Sequence, residues 1–109
     1  MKQGEIWNVY FDPVGSEQGG RRPAIIISGN LANNNLNTII VCPLTSKLKN
    51  YHGNLILKPS ANNGLSKTSE VMIIHIRSLS KERFLKKMGS ISKSDFDIVK
   101  EGLDKIIKY

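Results

Sequence analysis

Short apolar runs of strand length recur along this chain, set apart by clusters of Gly, Pro, Asn and Ser. EIWNVYF (5–11) reads as a first strand, followed by a long loop, DPVGSEQGGRR (12–22). PAIIIS (23–28) reads as a buried second strand, where Pro23 fits because a strand's first residue need not donate to the ladder. GNLANNNLN (29–37) reads as a polar connection and TIIVCPL (38–44) as strand three. TSKLKNYH (45–52) then links to strand four, GNLILK (53–58). PSANNGLSKT (59–68) is a further loop before a long fifth strand, EVMIIHIRSL (70–79). SKER (80–83) suits a single helical turn, and FLKKMGSI (84–91) a sixth strand.

The period changes at residue 92. Phe96, Val99, Leu103 and Ile106 fall on one face of a helix, and Ser92 with Asp95 three residues on resembles a capping box. Lys105 and Lys108 suit the negative C-terminal end of the helix dipole. Many short strands and one terminal helix predict a mainly β (α+β) fold, a small barrel or curled sheet with the helix packed against it. Repeats, low-complexity tracts and linkers are all lacking, so residues 1–109 are expected to form one domain.

Composition narrows the chemistry. Sixteen Lys and Arg against nine Asp and Glu give a net charge of +7, which would attract polyanions such as nucleic acid. Sparse aromatics, 6% of the chain, argue against a broad base-stacking platform. Cys42, in the aliphatic run IIVCP, is the single cysteine and is expected to be a buried small hydrophobe. One cysteine with His52 and His75 makes no spaced metal cluster, so neither metal nor other cofactor is expected. The opening residues MKQGEIW lack a signal-like apolar run and no span of eighteen apolar residues occurs, so a cytoplasmic location without membrane contact is expected.

Two polar clusters stand beside apolar strands. In GSEQGGRRP, Ser16, Glu17, Gln18, Arg21 and Arg22 crowd a glycine turn that has neither the P-loop ending nor the GxGxxG pattern. At the mouth of a rigid strand, the Arg22 guanidinium would either clamp a phosphate or pair with Glu17 to stiffen the loop. TIIVCPLTSK ends its strand with Thr45, Ser46 and Lys47, which reads either as a binding cluster or as an ordinary Ser/Thr turn.

Taken together, GEIWNVYFDPVGSEQGGRRPAIIIS, TIIVCPLTSK, IRSLSKERF and GSISKSD resemble the MazF/PemK family of toxin endoribonucleases over nearly the whole chain. The resemblance implies an SH3-like barrel of five to seven strands with a C-terminal helix, a homodimer, and metal-independent cleavage of single-stranded RNA. It also implies a MazE-like antitoxin that covers the RNA site, with operator DNA engaged only through the antitoxin complex. Arg22 and Thr45 match the implied catalytic positions; Ser16 and Gln18 match the loop holding the scissile region, and Ser46 and Lys47 flank the threonine. Glu17, His75 and Arg77 join them as substrate-binding candidates. Two departures stand out: Met72 and Ile74 fall where some relatives carry Arg and Asp, and His75 where many carry Gln.

RNA brings its own nucleophile, the 2′-hydroxyl. A cleaving protein must orient it, accept its proton, stabilise the phosphorane and protonate the leaving 5′-oxygen. Arg22 suits charge stabilisation and is a poor base, Thr45 suits a phosphate oxygen or the 2′-hydroxyl, and Glu17 or His75 could accept the proton. This scheme gives 2′,3′-cyclic phosphate and 5′-hydroxyl ends. Structural roles compete elsewhere: core or rim packing for Trp7 and Tyr10, a solvated loop for His52, a satisfied site for His75, an ion pair for Arg77. Lys81, Arg83, Lys86 and Lys87 read as a general cationic surface. The competing functions are a CcdB-like gyrase poison, marked by a terminal Trp-Gly-Ile where this chain reads KIIKY, and a non-catalytic RNA-binding barrel.

Overall fold

The computed structural model describes residues 1–12 and 20–108. Its strands are β1 (Glu5–Phe11), β2 (Gly20–Ile26), β3 (Thr38–Thr45), β4 (Ile56–Leu57), β5 (Ser69–Val71), β6 (Arg77–Ser80) and β7 (Phe84–Ser90). A short helix α1 (Asn30–Asn35) joins β2 to β3, and the longer α2 (Lys93–Ile107) follows β7. All pairings are antiparallel, in the order β4-β5-β3-β2-β1-β7, with β6 on the same edge of β3 as β5. Two register shifts between β1 and β7, at Ile6/Trp7 and Asn8/Val9, are bulges of the kind that curl a sheet. The result is the curled mainly β sheet with a terminal helix that the alternation of runs leads one to expect.

The apolar runs are continuous because β2 and β3 are buried on both faces. Ile25, Cys42 and Leu44 point into one cluster with Ile6, Leu57, Val71, Ile73 and Val99 of α2. Ala24, Ile26, Ile39 and Val41 point the other way, into a second cluster with Val9, Phe11 and Leu79. Cys42 is fully buried, and burial pushes its thiol up to about 12, so it packs as an inert hydrophobe. Trp7 packs edge-on against Phe84 and donates to Glu5 Oε1 at 2.9 Å, which makes its role one of packing.

Several elements differ from the sequence reading. The polar connection 29–37 contains α1, held by buried Asn33, whose Nδ2 donates to the Ser28 carbonyl. Strand four shrinks to Ile56–Leu57, and strand five divides into β5 and β6 around a 3-10 turn at Ile73–His75. The turn at SKER is present as a 3-10 turn, Lys81–Arg83, with Ser80 as its cap. In α2, Ser92 caps the backbone N–H of Asp95 as expected, and Phe96 and Val99 are buried. Ile106 is 39% exposed, so the apolar face ends one turn early. Where Gly102 passes Ile73, an added Cβ would overlap the isoleucine side chain, so glycine lets the helix sit close.

Candidate active site

The site arises where the β2–β3 ladder stops. Their register runs Ile26↔Val41, Ile25↔Cys42 and Ala24↔Pro43 and ends there, although β2 extends back to Gly20 and β3 on to Thr45. Pro23 and Pro43 carry no N–H, so neither can donate to prolong the ladder. Beyond the prolines β2 continues along β1, with Arg21 and Arg22 opposite Tyr10 and Val9, while Leu44 and Thr45 of β3 pair with Val71 and Glu70 of β5. A groove of about 340 Å³ lies between them, lined by Arg21, Arg22, Pro23, Leu44, Thr45, Ser46 and Lys47 on these strands and the loop after β3.

Arg22 is therefore a strand residue, half-buried and fixed by its ladder to Val9, and not the last residue of a loop. None of the ion pairs among the described residues involves it. Thr45 Oγ1 accepts the Lys47 backbone N–H at 3.1 Å, the geometry of an ST turn. That bond takes up one lone pair and leaves the hydroxyl hydrogen to donate into the groove. The cluster is thus a Ser/Thr turn whose Thr45, Ser46 and Lys47 line the groove.

The far wall was not anticipated. Leu65, Ser66, Lys67, Ser69 and Met88 complete the lining. Buried Asn63 organises this wall, its Oδ1 accepting from Ser60 N and Leu65 N and its Nδ2 donating to the Lys58 carbonyl. The loop docks on β7 so closely that a Cβ on Gly64 would overlap the Met88 carbonyl, and one on Gly89 the Asn62 carbonyl. Gly64 also has φ +70, a conformation that favours glycine. The run ANNG gave a turn signal, but nothing in it pointed to a groove.

The remaining candidates fall elsewhere. His75 ends the 3-10 turn and Arg77 opens β6, opposite Val41 and four residues back from Thr45 along β3. Neither lines this groove, and the Arg77 guanidinium sits 5.3 Å from the centre of the Phe11 ring. Ser16, Glu17 and Gln18 lie outside the described residues. His52 is exposed on the loop between β3 and β4. Arg83 is bidentate to Asp12 and lies over Tyr10, a fixed surface pair.

Comparison with known proteins agrees with the fold and the motifs. The chain belongs to the PemK-like, MazF-like toxin family of type II toxin-antitoxin systems, whose model matches residues 2–107. Endoribonuclease MazF9 of Mycobacterium tuberculosis is 32% identical over 109 residues, covering 94% of this chain and 92% of the relative. The endoribonuclease toxin MazF of Escherichia coli is 30% identical over 103 residues, covering 94% and 88%. Among solved structures, MazF from Deinococcus radiodurans superposes with a TM-score of 0.81 at 27% identity, over 99% of this chain and 96% of that one. A MazE–MazF complex from the same organism gives 0.79 at 28% identity, over 98% and 95%.

Proposed function

We propose that this chain is a metal-independent endoribonuclease toxin that cleaves single-stranded RNA through attack by the 2′-hydroxyl. The observation that carries the reading is the meeting of Arg22 and Thr45, from separate polar clusters, across one groove with Ser46 and Lys47. Relatives sharing about a third of its residues bear the name endoribonuclease. In this scheme Arg22 stabilises the charge that builds on the phosphorane, preorganised by the β1 ladder. Thr45 donates its hydroxyl hydrogen to a non-bridging phosphate oxygen, and Lys47 and Lys67 hold neighbouring phosphates. The proton acceptor is Glu17, since His75 does not line this groove; the leaving 5′-oxygen takes its proton from Arg22, and the products carry 2′,3′-cyclic phosphate and 5′-hydroxyl ends.

The scheme assigns the nucleophile to the RNA's own 2′-hydroxyl and the remaining roles to these side chains. A MazE-like antitoxin, as in the Deinococcus complex, would neutralise the toxin by covering this groove, with operator DNA reached only through that complex. The same proposal includes a cytoplasmic homodimer; exposed Ile40, Ile74 and Ile76, on touching elements, supply apolar surface for pairing. The test is incubation of the purified protein with RNA in EDTA. Cleavage supports the reading; intact RNA beside inhibited gyrase would favour a CcdB-like poison, and binding without cleavage a non-catalytic RNA-binding barrel.

A further inference from the structure

Glu70 is the one carboxylate that is fully buried among the described residues. An isolated carboxylate taken out of water costs several kcal/mol, so its partners decide whether it stays charged. Oε1 accepts the backbone N–H groups of Lys49 and Asn50, each at 2.7 Å. Oε2 accepts from Tyr51 N at 3.1 Å and from Asn54 Nδ2 at 2.7 Å. Burial pushes its pKa up, and the donors from Asn54, Asn50, Lys49 and Tyr51 more than offset this, holding it below the ordinary carboxylate value. Three successive N–H groups turned toward one anion form a nest, and Asn50, at φ 55, supplies its left-handed residue.

The placement of this carboxylate is informative. On β5, Glu70 stands opposite Thr45 on one side and Ile56 on the other. Those two residues are where the chain leaves β3 and where it re-enters the sheet as β4. The side chain thus closes the loop between them at its base. Residues 46–52 are all exposed, so the loop buries little apolar surface and the carboxylate is its main anchor. This loop carries Lys47, which lines the groove, together with exposed Lys49 and Tyr51, and its first turn holds the Thr45 hydroxyl through the Lys47 N–H.

We infer that Glu70 is a positioning residue for RNA, stapling the loop of residues 46–54 so that its cations face the strand leaving the groove beside Thr45. The inference rests on the proposed endoribonuclease reading. Arg22 and Thr45 are held by strands, so loss of the staple acts on affinity more than on the chemical step.

The experiment uses Glu70→Gln in the full chain, with amide exchange read without RNA and single-turnover cleavage of a labelled RNA read in EDTA. An amide nitrogen in place of Oε2 would confront the N–H of Tyr51 and the Asn54 amide. Exchange at Lys49, Asn50 and Tyr51 should accelerate, and the half-saturating protein concentration should rise about tenfold, equivalent to losing one good phosphate contact. The saturating rate should stay within about threefold of the parent, since uniform binding and not transition-state contact is lost. Asn54→Ala, which removes one donor and leaves the carboxylate, should give the same pattern about threefold in size and serves if Glu70→Gln does not fold. Faster exchange with unchanged half-saturation overturns the inference, as does a fall in saturating rate alone. If the parent protein cleaves no RNA, the endoribonuclease reading falls, and affinity for a 2′-deoxy-substituted oligonucleotide then decides the staple on its own: weaker binding by Glu70→Gln supports it, and equal or absent binding overturns it.

Discussion

The two walls of the groove are held in place by different physics. One wall, Arg21 to Pro23 and Leu44 to Thr45, belongs to strands whose neighbouring residues fill cores on both faces. The other wall and the adjoining loop, residues 46–54 and 60–67, expose most of their side chains; Glu70 anchors the first, while Asn63, buried Leu65 and docking on β7 hold the second. Rigid strands fix groups that must not move as charge develops, which is where electrostatic catalysis gains most. Loops held by a few hydrogen bonds can be retuned without disturbing the core, and loops commonly carry recognition.

The largest expected effect is on the strand wall. Arg22→Ala should slow single-turnover cleavage by about 10²-fold or more, the cost of losing a preorganised donor. Its melting temperature should stay near the parent's, because Arg22 is half-buried and belongs to neither apolar cluster. Arg22→Lys should rescue poorly, since an ammonium lacks the planar fork. Thr45→Ala should cost less, about tenfold, in the same assay, with circular dichroism unchanged.

On the opposite wall the signature should reverse, with stability falling before chemistry. Gly64→Ala places a methyl against the Met88 carbonyl at a positive φ, and thermal unfolding should show a loss of roughly 2 kcal/mol or more. If Gly64→Ala melts like the parent, the docking of this loop on β7 is not what shapes the wall.

Acid should weaken both kinds of support. Burial alone would raise Glu5, but donors from Trp7 and the Lys2 backbone, with the Lys87 ammonium, bring it down to about 2 from 4.5. Glu70 is lowered as well. Groups with a depressed folded pKa stabilise the fold fully above the unfolded value, and the stabilisation disappears as pH falls through the folded one. Melting temperature should therefore hold from pH 8 to about 5 and fall between about 4.5 and 2. Glu5→Gln should flatten part of that slope; an unchanged slope would show that Glu5 is not held as described. The smallest effect is expected from His52→Ala, whose exposed ring lies outside the groove lining, with cleavage within about twofold of the parent.

The strand wall was legible in the sequence because proline and an apolar run mark it. RRPAIII and IIVCPLT each show where a ladder can begin or must end, and β1, β7 and α2 followed from their runs and caps. Other features left no local trace. EVMIIHIRSL reads as one strand because no Gly or Pro marks the 3-10 turn at Ile73–His75, which takes up the extra residues as β3 passes from β5 to β6. The asparagines of α1 favour turns as isolated residues, and the helix there is secured by the burial of Asn33 and its bonds to Ser28, which residue type does not reveal. Glu70 looked like any acid at a strand's start, since its donors lie 16 to 21 residues earlier. The bonds of Glu70 are long-range contacts, which no local pattern encodes, whereas those of Asn63 reach only two to five residues and show in the sequence just as a turn.

At the centre of the account is an RNA that supplies its own nucleophile to a phosphate held between Arg22 and Thr45. The direct measurement is cleavage in EDTA of one labelled RNA and of the same strand with a single 2′-deoxy residue at the cleavage position, with product ends identified. The RNA should be cut to 2′,3′-cyclic phosphate and 5′-hydroxyl ends, while the deoxy strand should be bound with similar affinity and left intact. Cutting of the deoxy strand at the same position, or products ending in 3′-hydroxyl and 5′-phosphate, would contradict it.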